Sequence, residues 1–112
     1  MWIGVPKEIK PDEYRVGLTP DSVQEFVAHG HDVIVQTGAG EGINCSDEAY
    51  SVCGAEIAAE ATEVFDRSDM IIKVKEPQAI ERKMLKPDQI LFTYLHLAPD
   101  LAQTRNLVDR DR

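Results

Sequence analysis

The 112 residues carry 12 basic and 20 acidic side chains, a formal charge of −8, and 43% apolar residues scattered in short runs. That balance argues against a nucleic-acid binder, which needs clustered Lys and Arg to meet phosphates, and no apolar run approaches the ~18 residues of a membrane span. Two cysteines, Cys45 and Cys53, make neither a disulfide framework nor a zinc site.

The length suits one domain, taken here as 1–112. The opening run has no basic segment and no apolar signal core, so the expectation is a cytoplasmic protein without a secretory signal. Trp2-Ile3-Gly4-Val5-Pro6 reads as a first strand ended by Pro6. Lys7 to Tyr14 is polar and contains Pro11, which predicts a loop holding Lys7 and Glu8, with Arg15 at its far end. A loop following the first strand of an α/β sheet emerges at the edge where ligands bind. Arg15 there offers a planar, permanently charged fork to a carboxylate. The competing reading is a surface arginine with no specific contact.

Thr19-Pro20-Asp21-Ser22 predicts a helix start, because Thr19 can cap, Pro20 suits the first helical position and Asp21 favours the positive end of the dipole. Val23, Phe26 and Val27 fall at helical spacing, and Gly30 fits the position just past the end. His29 and His31 flank that glycine and read as solvated turn residues. Asp32 to Gln36 is a second strand.

Thr37-Gly38-Ala39-Gly40-Glu41-Gly42 has the spacing Gly-x-Gly-x-Gly. A dinucleotide fingerprint needs G-x-G-x-x-G running directly into a helix. Here Ile43-Asn44-Cys45 intervene before the next helix cap, Ser46, so the expectation is a flexible glycine loop and not an NAD site. Ser46 to Val52 predicts a short helix stopped by Gly54, with Cys53 as a reduced core thiol. Ala55 to Ala58 predicts a third strand and Ala61 to Phe65 another short helix.

Asp69 to Pro77 is the most informative stretch. Met70-Ile71-Ile72 is long enough for a buried strand and too short for a helix. Lys73, Lys75 and Glu76 then change its character, and Pro77 brings no N–H to a ladder. At the carboxyl end of a parallel strand, Lys75 could hold a carboxylate or polarise a carbonyl; the alternative is a lysine that has simply reached solvent. Gln78 to Leu85 predicts a helix, Gln89 to Leu95 the last strand, and Pro99-Asp100 the start of a final helix. His96 follows that strand, and its imidazole titrates near neutrality, where it can deliver or accept a proton. A histidine satisfied by backbone at a strand end is the alternative. If the two strands are neighbours, Lys75 and His96 emerge side by side, and the cation favours the neutral imidazole.

Strand and helix signals alternate throughout. The predicted fold is α/β: an open, mostly parallel sheet with helices on both faces, Rossmann-like or flavodoxin-like. Arg15, Lys75 and His96 together form an anion clamp, a carbonyl-directed cation and a proton carrier. That set fits a small 2-oxo acid, and it includes nothing that transfers hydride.

Five motifs carry a resemblance: Ile3-Gly4-Val5-Pro6-Lys7-Glu8-Ile9-Lys10, Arg15-Val16-Gly17-Leu18-Thr19-Pro20, Thr37-Gly38-Ala39-Gly40-Glu41-Gly42, Lys73-Val74-Lys75-Glu76-Pro77, and Leu91-Phe92-Thr93-Tyr94-Leu95-His96-Leu97-Ala98. Nearly end to end, the chain resembles the N-terminal part of alanine dehydrogenase. The resemblance implies reversible, NAD-dependent oxidative deamination of L-alanine to pyruvate and ammonium. It implies that Arg15 and Lys75 bind the substrate, that His96 is the acid/base residue, and that the protein is a homo-oligomer, commonly a hexamer in the family. NAD and a further aspartate would belong to a Rossmann domain beyond these 112 residues. The chain is therefore expected to be a truncated product or an expressed fragment, lacking the NAD-binding domain and inactive alone. The first alternative is a non-catalytic module that binds a small 2-oxo acid or self-associates. The second is the N-terminal domain of a nicotinamide nucleotide transhydrogenase α subunit, which shares the opening segment and the glycine loop but lacks the Lys-Glu-Pro and Tyr-Leu-His-Leu-Ala runs.

Overall fold

The structure, a computed structural model, describes residues 1–10 and 13–94. Among the described residues, five strands form one sheet: β1 (Trp2–Val5), β2 (Asp32–Gln36), β3 (Glu56–Ala58), β4 (Met70–Lys73) and β5 (Ile90–Thr93). Their order is β3-β2-β1-β4-β5, and every neighbouring pair is parallel. This is the Rossmann arrangement, and it decides between the two doubly wound orders the sequence left open.

The sheet is buried on both faces where helices cover it, as the apolar strands require. On one face Ile3, Val5, Val33, Val35 and Ile72 pack with Val23 of α1 (Pro20–Ala28) and Tyr50 of α2 (Asp47–Val52). On the other, Ile34, Ile71 and Leu91 pack with Val64 and Phe65 of α3 (Ala61–Arg67). Successive strand side chains point to opposite faces, so these alternating sets follow from the register. Gly4 lets α3 lie directly on the sheet, since a Cβ there would meet Ser68 Oγ at 2.0 Å and Val64 Cγ1 at 2.9 Å.

The helix ends follow the sequence signals. The Thr19 hydroxyl accepts the Ser22 N–H, and the Ser46 hydroxyl accepts the Ala49 N–H. Gly30, at φ +88, closes α1 as its N–H donates to Val27 and the N–H of His31 donates to Phe26. Gly54 does the same for α2 at φ +106. His31 departs from expectation: it is half-buried, with its ring edge-on to Phe26 at 6.0 Å and Nδ1 out of solvent. His29 is exposed, as predicted.

The helix expected over Gln78 to Leu85 is only α4 (Ala79–Arg82). Glu81 is turned into the interior, and Met84 and Leu85 leave the helix to pack beside the α3 cluster. The predicted final helix lies outside the described residues, as do Leu95 and His96. Among the described residues, no helix is long and apolar enough to cross a membrane.

The chain order reverses between β1 and β4: β2 and β3 lie to one side, β5 to the other. The loops following β1 and β4 therefore emerge together at the carboxyl edge, the switch point where such sheets form a crevice.

Candidate functional site

The crevice is framed by a buried ion triad. Lys73 Nζ lies 3.0 Å from Glu8 Oε1 and 2.9 Å from Glu81 Oε2, and the three side chains are only 1–2% exposed. Lys73 is the last residue of β4, facing α4, in a strand otherwise apolar. A buried ammonium persists only when paired and hydrogen-bonded, and Glu8 supplies one partner from the loop after β1. Glu8 also accepts the Val74 N–H at 2.9 Å and the Lys75 N–H at 3.3 Å. Those two groups are thereby taken over by a side chain. Thus β4 ends at Lys73, and Lys75, expected at the carboxyl end of the strand, stands in the turn two residues beyond it. Glu81 Oε1 accepts the Gln78 N–H at 2.8 Å, which anchors the start of α4 to the same frame.

Arg15 and Lys75 meet at a third carboxylate. Glu13 Oε2 accepts from Arg15 Nε at 2.9 Å and from the Arg15 backbone N–H at 2.9 Å, while Oε1 accepts from Arg15 Nη2 at 3.0 Å. Lys75 Nζ is 4.0 Å from the same Oε1. The Glu13 side chain is 2% exposed, against 57% for Arg15 and 23% for Lys75. Arg15's hydrogen bonds hold the Glu13 carboxyl below its ordinary value, with Lys75 adding to the effect. Glu13 in turn raises the Arg15 guanidinium. Further along the same seam, Lys10 Nζ pairs with Glu76 at 2.8 Å.

Two close backbone approaches and a tyrosine hydrogen bond carry Arg15 into position. A Cβ at Gly17 would lie 2.4 Å from the Ile72 carbonyl oxygen, so the segment after Arg15 presses on β4 itself. A Cβ at Gly42 would lie 2.0 Å from the Tyr14 carbonyl oxygen. The Tyr94 hydroxyl, just past β5, donates to the Gly17 carbonyl at 2.7 Å. Below this, the Tyr50 hydroxyl donates to the Leu18 carbonyl at 2.7 Å, and burial pushes Tyr50 up to about 12.

Among the described residues, Arg15 borders two clefts. The larger, about 370 Å³, lies toward the Gly38–Gly42 loop and is also lined by Lys7, Glu8, Glu13 and Glu41. Three carboxylates against two cations make it a poor seat for an anion. The smaller, about 260 Å³, lies toward Val74 and Tyr94, and Arg15 is the charged side chain on its wall among the described residues. Of the two, an anion is better matched to this second cleft; Lys75 lines neither, but its chain neighbour Val74 is on the wall of the second.

The glycine loop expected to be flexible is tied down. Gly38, at φ +77, donates its N–H to Asp47 Oδ1 at 2.9 Å, and the Thr37 hydroxyl donates to Asp47 Oδ2. These two bonds hold Asp47 below its ordinary value. A pyrophosphate cradle needs such N–H groups unoccupied and no acidic group beside them. Here Asp47 already holds the Gly38 N–H and Glu41 lies on the loop, so these residues do not fit an NAD pyrophosphate.

Of the residues singled out from sequence, Arg15 and Lys75 are brought to one carboxylate. β4 and β5 are neighbours, as the pairing of Lys75 with His96 presupposed, but His96 lies outside the described residues. Glu13, Glu81 and the bridging part played by Glu8 are not among those singled out. Lys73 was the available signal: a lysine on an apolar strand between helices demands a buried carboxylate somewhere.

The model of the alanine dehydrogenase/PNT N-terminal domain matches residues 4–111. The chain belongs to that family. It is 56% identical over 110 residues to an alanine dehydrogenase of Methanococcus maripaludis, covering 98% of this chain and 30% of that protein. It is 50% identical over 110 residues to alanine dehydrogenase 2 of Staphylococcus aureus strain USA300, covering 98% of this chain and 29% of the relative. Among solved structures, an L-alanine dehydrogenase superposes with a TM-score of 0.87 at 44% identity, over 99% of this chain and 30% of that one. A transhydrogenase from Sinorhizobium meliloti superposes with a TM-score of 0.84 at 25% identity, over 96% of this chain and 32% of that one. The chain thus spans about 30% of the length of the family members it matches.

Proposed function

We propose that this chain supplies the substrate-binding half of an NAD-dependent alanine dehydrogenase, acting on L-alanine and pyruvate, and that it forms the N-terminal substrate domain of such an enzyme. The observation that carries the reading is the meeting of Arg15 and Lys75 at the switch-point crevice, on loops from the two wings of the sheet. The 44% identity to the L-alanine dehydrogenase, against 25% to the transhydrogenase, supports the alanine dehydrogenase side of the family.

In this reading Arg15 takes the carboxylate of the acid. Its Nε and Nη2 are engaged by Glu13, and among the described residues Nη1 makes no hydrogen bond, so one edge of the fork remains to receive an anion. Lys75 donates to the 2-oxo oxygen of pyruvate and draws electron density from the carbonyl carbon. His96, which lies outside the described residues, is assigned the proton exchange at the substrate's 2-position oxygen or nitrogen. NAD, when bound, supplies the hydride acceptor, and it is held by residues outside these 112. The enzyme is cytoplasmic and homo-oligomeric in this proposal.

Calorimetric titration of the chain with pyruvate tests the reading. Binding is expected, and each of Arg15→Ala and Lys75→Ala should weaken it by about tenfold or more, the scale of a lost charge-assisted hydrogen bond. Undiminished binding in both variants would refute the assignment. Incubation with L-alanine and NAD should yield little or no NADH absorbance, and robust turnover would overturn the half-site reading. The alternative reading is a non-catalytic module that binds no keto acid and self-associates. Absence of pyruvate binding together with stable self-association is its signature.

A further inference from the structure

We infer that Glu13 is a positioning residue that presets Arg15 and Lys75 for an incoming carboxylate; this rests on the proposed substrate site and deepens it. Three features distinguish Glu13 from an ordinary surface partner. Its side chain is 2% exposed although Arg15 beside it is 57% exposed, so the carboxylate lies behind the guanidinium and not in front of it. It uses both oxygens on the Nε–Nη2 edge of Arg15 and adds the Arg15 backbone N–H. This fixes the plane of the fork while leaving the Nη1 side to a ligand. Its Oε1 also faces Lys75 Nζ at 4.0 Å, so one anion stands between two cations that would otherwise repel.

Convergent cations on flexible stems lose rotamer freedom when they bind, and a partner that has already fixed them lowers that loss. Glu13 does this for Arg15 through hydrogen bonds and for Lys75 through charge alone, at 4.0 Å. Its loop is fixed in turn: Gly42 admits Tyr14 against the neighbouring loop, and Glu8 holds the Lys75 backbone from the same segment of chain. The ligand therefore meets a preset pair of cations.

Glu13→Gln, which keeps the size of the side chain and removes its charge, tests this in the 112-residue chain. Two readouts are taken. Pyruvate affinity by calorimetry is expected to fall about tenfold. The Arg15 Nε–H resonance, which needs no ligand, is expected to show slow solvent exchange in the parent chain and fast exchange in the variant. Backbone amide resonances should change only near residues 13–17 and 74–76. Glu13→Asp keeps the charge on a shorter stem and should fall between the two; it decides the matter if Glu13→Gln does not fold. Equal or tighter pyruvate binding by Glu13→Gln would show that Glu13 competes for the ligand's seat, which overturns the inference, as would an Arg15 Nε–H indifferent to the substitution. Undiminished pyruvate binding in Arg15→Ala and Lys75→Ala would instead sink the substrate-site reading, and the Nε–H measurement would still judge Glu13.

Discussion

At the scale of single residues, the decisive fact is that Lys73 is buried between Glu8 and Glu81. Two carboxylates out of water without their cation are costly, so Lys73→Ala should destabilise the chain by about 3–5 kcal/mol in urea denaturation, the range for breaking a buried ion pair from one side. Glu8→Gln keeps an oxygen for the Val74 N–H and should cost less. A Lys73→Ala chain as stable as its parent would show that the triad is not structurally important. The residue scale is also where the sequence was hardest to read. Arg15 and Lys75 could be singled out because their chemistry and their place after strands coincide. Glu13 and Glu8 could not, because glutamate in a polar loop looks the same whether it is solvated or drawn under a neighbouring turn. Only pairing between residues 65–67 positions apart exposes the bridging part of Glu8.

At the scale of elements, caps and stops were legible, since Thr19, Ser46, Gly30 and Gly54 act on their own local backbone. Strand positions were legible for the same reason, through short apolar runs closed by breakers. The length of α4 was not, because Glu81 is turned inward by Lys73, a tertiary demand that local spacing does not carry. The glycine loop misleads on similar grounds: glycine suggests freedom, whereas Gly42 lets two loops touch. Gly42→Ala must push the Tyr14 carbonyl away and displace the segment leading to Arg15. The expected outcome is a stability loss of about 1–3 kcal/mol and weaker pyruvate binding, measured by urea denaturation and calorimetry. Retained affinity would mean that Arg15 is held independently of the glycine loop.

At the scale of the whole molecule, the charge of −8 and the depressed carboxyls set the response to acid. Glu13 and Asp47 both titrate below their ordinary values in the folded chain. A group so shifted adds stability that is fully present above its unfolded value and is lost as pH falls through the lowered folded value. Thermal unfolding followed from pH 7 downward should therefore show a falling Tm that begins near the ordinary carboxylate range of ~4, and Asp47→Asn should flatten part of that fall. An unchanged slope in Asp47→Asn would show that the Thr37 and Gly38 bonds do not select the charged form. The fold class was readable at this scale from the alternation of strands and helices. The strand order was not, because alternation is common to both doubly wound arrangements.

The two cations hang from opposite wings of the sheet, Arg15 from the β1 side and Lys75 from the β4 side. An anion gripped by both is consequently a clasp across the middle of the domain as well as a ligand. By mass action, a ligand present at a hundred times its dissociation constant adds about 2.7 kcal/mol to the folded state. Here that gain would fall on the join between the wings, so occupancy of the crevice and cohesion of the sheet would rise and fall together.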